Sequence, residues 1–198
     1  MKFTTATIAI LLSLTTTISA APTPNLNARN ITSPNYIDTS SAITPHGISI
    51  YHGYNGAIQY GVTSGKIQRI QSGNDDISTL VTFYFPSGLE KFTCEFMFQT
   101  DDADSKINGD IFDVFNSNEI VKSASKGWGA PSNYRGTPLG RMKAIPGGNA
   151  KVMEGFPGKN TQFKCPSAGF KGYEVAPTGD KTHIEWHGSY DGPYIRYW

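Results

Sequence analysis

His183 and His187 stand four residues apart around Ile184-Glu185-Trp186. On a helix that spacing turns two imidazoles to one side, where they can share a metal ion. The residues between them alternate apolar and polar, as a strand does, and four strand steps of roughly 3.3 Å put the rings roughly 13 Å apart. They read as strand and turn histidines. Glu174 and Glu185 hold more chemical promise, because consecutive strands would bring them together as the carboxylate pair that glycoside hydrolysis needs. Glu185 also alternates with Ile184 and Trp186 as an outward strand residue, so the expectation is a structural ion pair with Lys171 or Arg196.

The run Asp101–Asp110 is acidic enough to suggest calcium, which takes six to eight oxygens. Counted from Asp102, Lys106 stands where an oxygen ligand is wanted, Ile107 replaces the turn glycine and Asp113 stands where a bidentate Glu should close the loop. A solvated hairpin or loop fits better. Gly61-Val-Thr-Ser64-Gly65 puts its serine in the wrong place for a nucleophile elbow. Gly155-Phe-Pro-Gly158-Lys159-Asn160 lacks the spacing and terminal hydroxyl of a phosphate-cradling loop. The sequence therefore assigns no catalytic residue, metal ligand or cofactor. Aromatics are the remaining signal, since an exposed ring can stack on a sugar. Trp128, Tyr134, Tyr190 and Tyr194 are the candidate ligand contacts, and Trp186 is expected in the core.

The elements that carry these residues are short. Phe92, Cys94, Phe96 and Phe98 recur at strict period two with Thr93, Glu95 and Gln99 opposite, the cleanest strand pattern in the chain. Ile77–Phe85 repeats the pattern, with Ile77, Thr79, Val81, Phe83 and Phe85 on one face. Further strands are read at Ile48–Tyr51, Ala57–Tyr60, Lys66–Ile70, Ile111–Phe115, Leu139–Ala144, Gly172–Ala176, Thr182–Trp186 and Tyr194–Trp198, with Lys122–Gly140 irregular before Leu139. Turn-forming residues separate them. Nowhere does a 3.6-residue period persist for a helix's length. About ten short strands predict an all-β, antiparallel two-sheet sandwich. Thr182–Trp186 is expected at its centre, paired with Gly172–Ala176 and Tyr194–Trp198.

Residues 1–20 have the physics of a secretory signal: Lys2, an apolar run Ala6–Leu14, and small residues at Ser19-Ala20-Ala21. That run is too short to cross a bilayer, and no hydrophobic tail follows Trp198, so no membrane or lipid anchor is expected. Residues 21–44, rich in Pro, Ser, Thr and Asn, read as a flexible leader carrying a glycosylation sequon at Asn30. Residues 45–198 form the folded domain. Export makes one inter-strand disulfide, Cys94–Cys165, the simplest use of two cysteines. Closing a loop of about seventy residues contributes about 4 kcal/mol in the chain-entropy model. A formal net charge of +1 gives no electrostatic reason to expect nucleic acid as a partner.

Cys165-Pro166, Gly172-Tyr173-Glu174-Val175, Gly179-Asp180, Ile184-Glu185-Trp186 and Gly192-Pro193-Tyr194-Ile195 form a spaced set of landmarks. With Ile77–Phe83 and Phe92-Thr93-Cys94-Glu95-Phe96, the stretch from about residue 34 to 198 resembles the fungal But-two C-terminal-like domain. That family takes its name from a binder of a ubiquitin-like-modifier activating enzyme. Most of its members are secreted fungal proteins of unassigned activity, so the resemblance implies secretion and little about chemistry. Three functions are consistent with this reading. One is a non-catalytic structural or binding module at the cell surface or wall, with polysaccharide as partner. The second is a secreted protein-interaction domain with an extracellular partner, and the third is a glycan hydrolase using Glu174 and Glu185.

Overall fold

The computed structural model describes residues 39–70, 76–101, 105–125, 135–155, 161–188 and 191–198. Fourteen strands occur among them, in chain order β1 (Ala42–Ile43), β2 (Gly47–His52), β3 (Ala57–Tyr60), β4 (Ser64–Arg69), β5 (Ile77–Phe85), β6 (Thr93–Gln99) and β7 (Lys106–Ile107). They continue as β8 (Ile111–Ser117), β9 (Arg135–Lys143), β10 (Lys151–Val152), β11 (Gln162–Lys164), β12 (Gly169–Pro177), β13 (Thr182–His187) and β14 (Gly192–Tyr197). Three-residue 3₁₀ turns at Thr39–Ser41 and Leu89–Lys91 are the helical elements of the described residues. All strand pairs are antiparallel. One sheet runs β1-β14-β6-β11, and the other runs β10-β9-β8-β12-β5-β4-β13-β7, with β2 also paired to β5 and β3 to β2.

The two sheets enclose one core because the period-two strands turn their large residues toward each other. Cys94, Phe96, Phe98 and Ile195 come from the smaller sheet. Val81, Phe83, Phe85, Phe112, Val114, Tyr173, Val175, Ile184 and Trp186 come from the larger one. Phe98 meets Phe112 and Trp186 with ring centroids 4.8 and 5.0 Å apart, and Phe83 meets Phe96 edge-on at 6.3 Å. The disulfide joins β6 to the residue following β11, with Cα atoms 4.9 Å apart, as export with two cysteines predicts.

Three expectations need correction. Ala42–Ile43, read as the end of the leader, form β1 against Ile195 and Arg196, with Ile43 packed on the core. The strand edge of β14 supplies hydrogen-bonding groups that the composition of the leader cannot reveal. The second correction concerns β13, whose neighbours are β4 and β7 rather than the strands at Gly172 and Tyr194. Ile184 and Trp186 do point inward, but burial comes from the facing sheet and from two glycines. A Cβ on Gly65, its cross-strand partner, or on Gly192 would fall within the indole. Third, the run before Leu139 is already strand from Arg135. Pro138 is accommodated there because the β8–β9 register shifts beside Phe115.

The outer face of β5 is also covered. Val121, on the segment after β8, packs with Leu80, Tyr51 and Ile58 as a small second cluster. That strap of chain, 118–125, shapes the surface described next.

Candidate functional site

Trp128, Tyr134 and Tyr190, read as ligand contacts, and Asn30, read as a glycosylation site, lie outside the described residues. Tyr194, the fourth aromatic candidate, is 6% exposed. Its hydroxyl donates to Asn149 Oδ1 at 2.9 Å, and burial raises its phenol above the ordinary range. It braces β14 and offers no stacking face. The alternation around Pro193-Tyr194-Ile195 did not disclose that all three are buried.

The carboxylate pair does not form. Glu174 lies on β12 and Glu185 on β13, with β5 and β4 between them. Three inter-strand steps of about 4.8 Å make roughly 14 Å, beyond the span of about 5–10 Å that glycosidase carboxylates use. Each has its own partners. Glu174 is fully buried and accepts from Arg135 Nε at 2.8 Å and Nη2 at 2.6 Å, a two-point pair bridging to β9. Glu185 lies 3.1 Å from Lys66 Nζ and 3.5 Å from Lys106 Nζ, with His183 Nε2 at 3.2 Å. Those partners replace the expected Lys171 and Arg196, because register sets β4 and β7 beside β13. Arg196 instead pairs with Glu95 across β14–β6.

Glu185 borders an open groove of about 1000 Å³ also lined by Tyr60, Ser64, Lys66, Lys106 and His187. Burial raises its carboxyl, but the hydrogen bond and charge of Lys66, followed by His183 and Lys106, outweigh that and hold it below the usual carboxylate value. A general acid needs the opposite shift. Among the described residues, Glu185 is the single carboxylate lining this groove, and no group of three His, Cys, Asp or Glu side chains is placed to hold a metal.

A different surface carries exposed rings. Tyr84 on β5 and Phe170 on β12 are direct cross-strand partners, 49% and 45% exposed, with ring centroids 5.1 Å apart. His46 also meets Phe170, with ring centroids 4.8 Å apart and planes tilted by 54°. The three rings form a strip across the outer face of the larger sheet. Two clefts flank it. One, about 450 Å³, runs along the edge of β12 where β8 ends, lined by Asn116, Ser117, Glu119, Lys171 and Tyr173 among others. The other, about 290 Å³, lies toward β2 and β3 and includes His46, Ser49, Tyr60, Thr82 and Lys122. Phe170 and Ile120 belong to both walls.

The sequence carried a signal for one of these three rings. Tyr84 stands on the face of β5 opposite Phe83 and Phe85, so strand patterning already placed it away from the core. Phe170 lay outside the strand read from Gly172, and its meeting with Tyr84 depends on register between segments 86 residues apart. No protein-family model matches this chain, and no curated protein matches it either.

Proposed function

We propose that the chain is a secreted, non-catalytic β-sandwich of But-two C-terminal-like type that binds polysaccharide at the fungal cell surface or wall. The observation that carries the reading is the solvent-facing strip of Tyr84, Phe170 and His46. Large aromatic rings ordinarily bury most of their surface, whereas Tyr84 and Phe170, tilted 60° to each other, keep nearly half of theirs in water and so offer apolar ring surface on which a sugar can stack. Tyr84 and Phe170 are directly paired on β5 and β12, so the register of those two strands sets the spacing of their rings. Secretion is supported by the leader-like N-terminal composition and by the disulfide, which belongs to oxidising compartments. The family assignment rests on the motifs quoted above, including the Cys94 and Cys165 positions that form the bond.

The test is co-sedimentation of the purified protein with insoluble wall glucan, chitin and mannan. Retention on at least one of them is expected, with Phe170→Ala and Tyr84→Ala each weakening it about tenfold, the equivalent of about 1.4 kcal/mol. Both side chains are half-exposed, so both variants should fold. No retention on any polysaccharide, or retention that ignores both substitutions, refutes the reading.

A further inference from the structure

Resting on that reading, we infer that the clefts on either side of Phe170 are adjoining subsites for one neutral saccharide chain, with Asn116 and Ser117 selecting its hydroxyl pattern. The argument begins at the end of β8. Its pairing with β9 slips twice between Val114 and Ser117, and its pairing with β12 stops at Tyr173. β12 runs on from Gly172 back to Gly169 with β5 alone as neighbour, and the larger cleft occupies the place where β8 would have continued. Irregularities of this kind commonly re-aim side chains beside binding sites.

What they re-aim here is polar. Asn116 and Ser117 line the cleft, and Asn116 Oδ1 and Ser117 Oγ are buried without a hydrogen-bond partner among the described residues. Such groups are uncommon in native proteins, and each costs free energy until something satisfies it. Both atoms are closed off from solvent, Asn116 Oδ1 against Gly136 of β9, so each must turn to meet a cleft occupant, and no protein hydrogen bond of either atom is broken in doing so. The free cleft, at about 450 Å³, lies within the size range of ligand sites and would fill with water. The ligand that replaces such water without loss carries hydroxyls where the water was. The charged residues lining this cleft are one carboxylate, Glu119, and one ammonium, Lys171. That balance favours a neutral sugar unit in this cleft over a phosphate or a uronic acid, and the second cleft adds the single ammonium of Lys122.

Chain length follows from the shared wall. Phe170 and Ile120 line both clefts, so a ring stacked on Phe170 has a cleft at each end of it. A single sugar fills one position, whereas a chain fills the platform and both flanks.

Competition by neutral gluco-oligosaccharides of increasing length, measured against co-sedimentation with wall glucan, tests the idea. Affinity should rise at least tenfold from monosaccharide to short oligosaccharide and then level off. Asn116→Ala and Ser117→Ala should each cost at least fivefold for the oligosaccharide and leave monosaccharide competition unchanged. Their melting temperatures should stay level or rise, since neither substitution removes a protein hydrogen bond. If Phe170→Ala abolishes glucan binding while Asn116→Ala and Ser117→Ala leave it intact, the subsite inference fails and the polysaccharide reading stands. If no polysaccharide binds, or if the protein instead captures a deglycosylated polypeptide that oligosaccharides do not displace, both fail. A lowered melting temperature in the Asn116→Ala and Ser117→Ala variants, with affinity lost in proportion, assigns the two residues a structural role and overturns the inference.

Discussion

Trp186→Ala removes a side chain that is 2% exposed and stands edge-on to Phe98 with centroids 5.0 Å apart. A buried tryptophan withdraws about 150–250 Å² from water, which at about 25 cal/mol/Å² corresponds to about 4–6 kcal/mol. Truncations of buried large aromatics cost about 3–5 kcal/mol. Nε1 has no partner among the described residues, so packing accounts for the loss without a hydrogen-bond contribution. We expect about 4 kcal/mol, a large share of the roughly 5–15 kcal/mol that stabilises a domain. Urea unfolding of the purified protein reads this directly. With a slope near 2 kcal/mol/M the midpoint should fall by about 2 M while the slope itself holds. Gly65→Ala supplies an internal check, because its new Cβ would fall within the indole and should cost about 1–3 kcal/mol. Combined, the two substitutions should cost less than their sum, since the first removes the ring that obstructs the second. A loss under about 1 kcal/mol for Trp186→Ala would falsify the packing account. Gly65→Ala costing as much in the Trp186→Ala background as in the parent would do the same.

Glu185 sits below the ordinary carboxylate range, so its contribution exists above the unfolded-state value of about 4.3 and disappears as pH falls through the lower folded value. Glu185→Gln should therefore destabilise by under about 1 kcal/mol at neutral pH, and thermal melts of parent and variant should converge in strong acid. Reduction of the native protein, or Cys94→Ala with Cys165→Ala, should cost about 4 kcal/mol in chemical denaturation, while no thiol titrates before reduction. Arg135→Ala strips the counter-charge from a fully buried Glu174 and should cost at least about 2 kcal/mol. Adding Glu174→Gln should recover part of that loss, and recovery of none of it would mean that the pair's charge is not what matters.

The inside-outside pattern of single strands was legible because it depends on neighbours in sequence. Phe92 to Phe98 alternate every second residue, and Cys94, Phe96 and Phe98 are all in the core. The same logic correctly turned Ile184 and Trp186 inward. It under-read β5, whose Ser78, Leu80 and Thr82 are buried on the opposite face as well. Their burial comes from strand neighbours and from Val121, a residue about forty positions away that carries no local sign of its destination.

Strand order is a different kind of information, and it decided which candidate residues meet. A hairpin-by-hairpin reading puts Glu174 beside Glu185, because consecutive strands are usually adjacent. In the fold β12 leaves β13 and pairs with β5 and β8, each more than fifty residues away, so the two carboxylates part and each acquires its own cation. The same long-range pairing builds the site that the sequence did not announce. Tyr84 and Phe170 become neighbours through β5–β12 register alone, and a one-residue slip would turn one of them into the core. Aromatic composition pointed toward sugar stacking, but it cannot rank residues by exposure: Tyr194, flanked by turn formers, went inside, and Phe170, beside a glycine and a lysine, stayed out. Which rings reach solvent is a property of the sheet, and a binding surface assembled across strands becomes readable when the register is known.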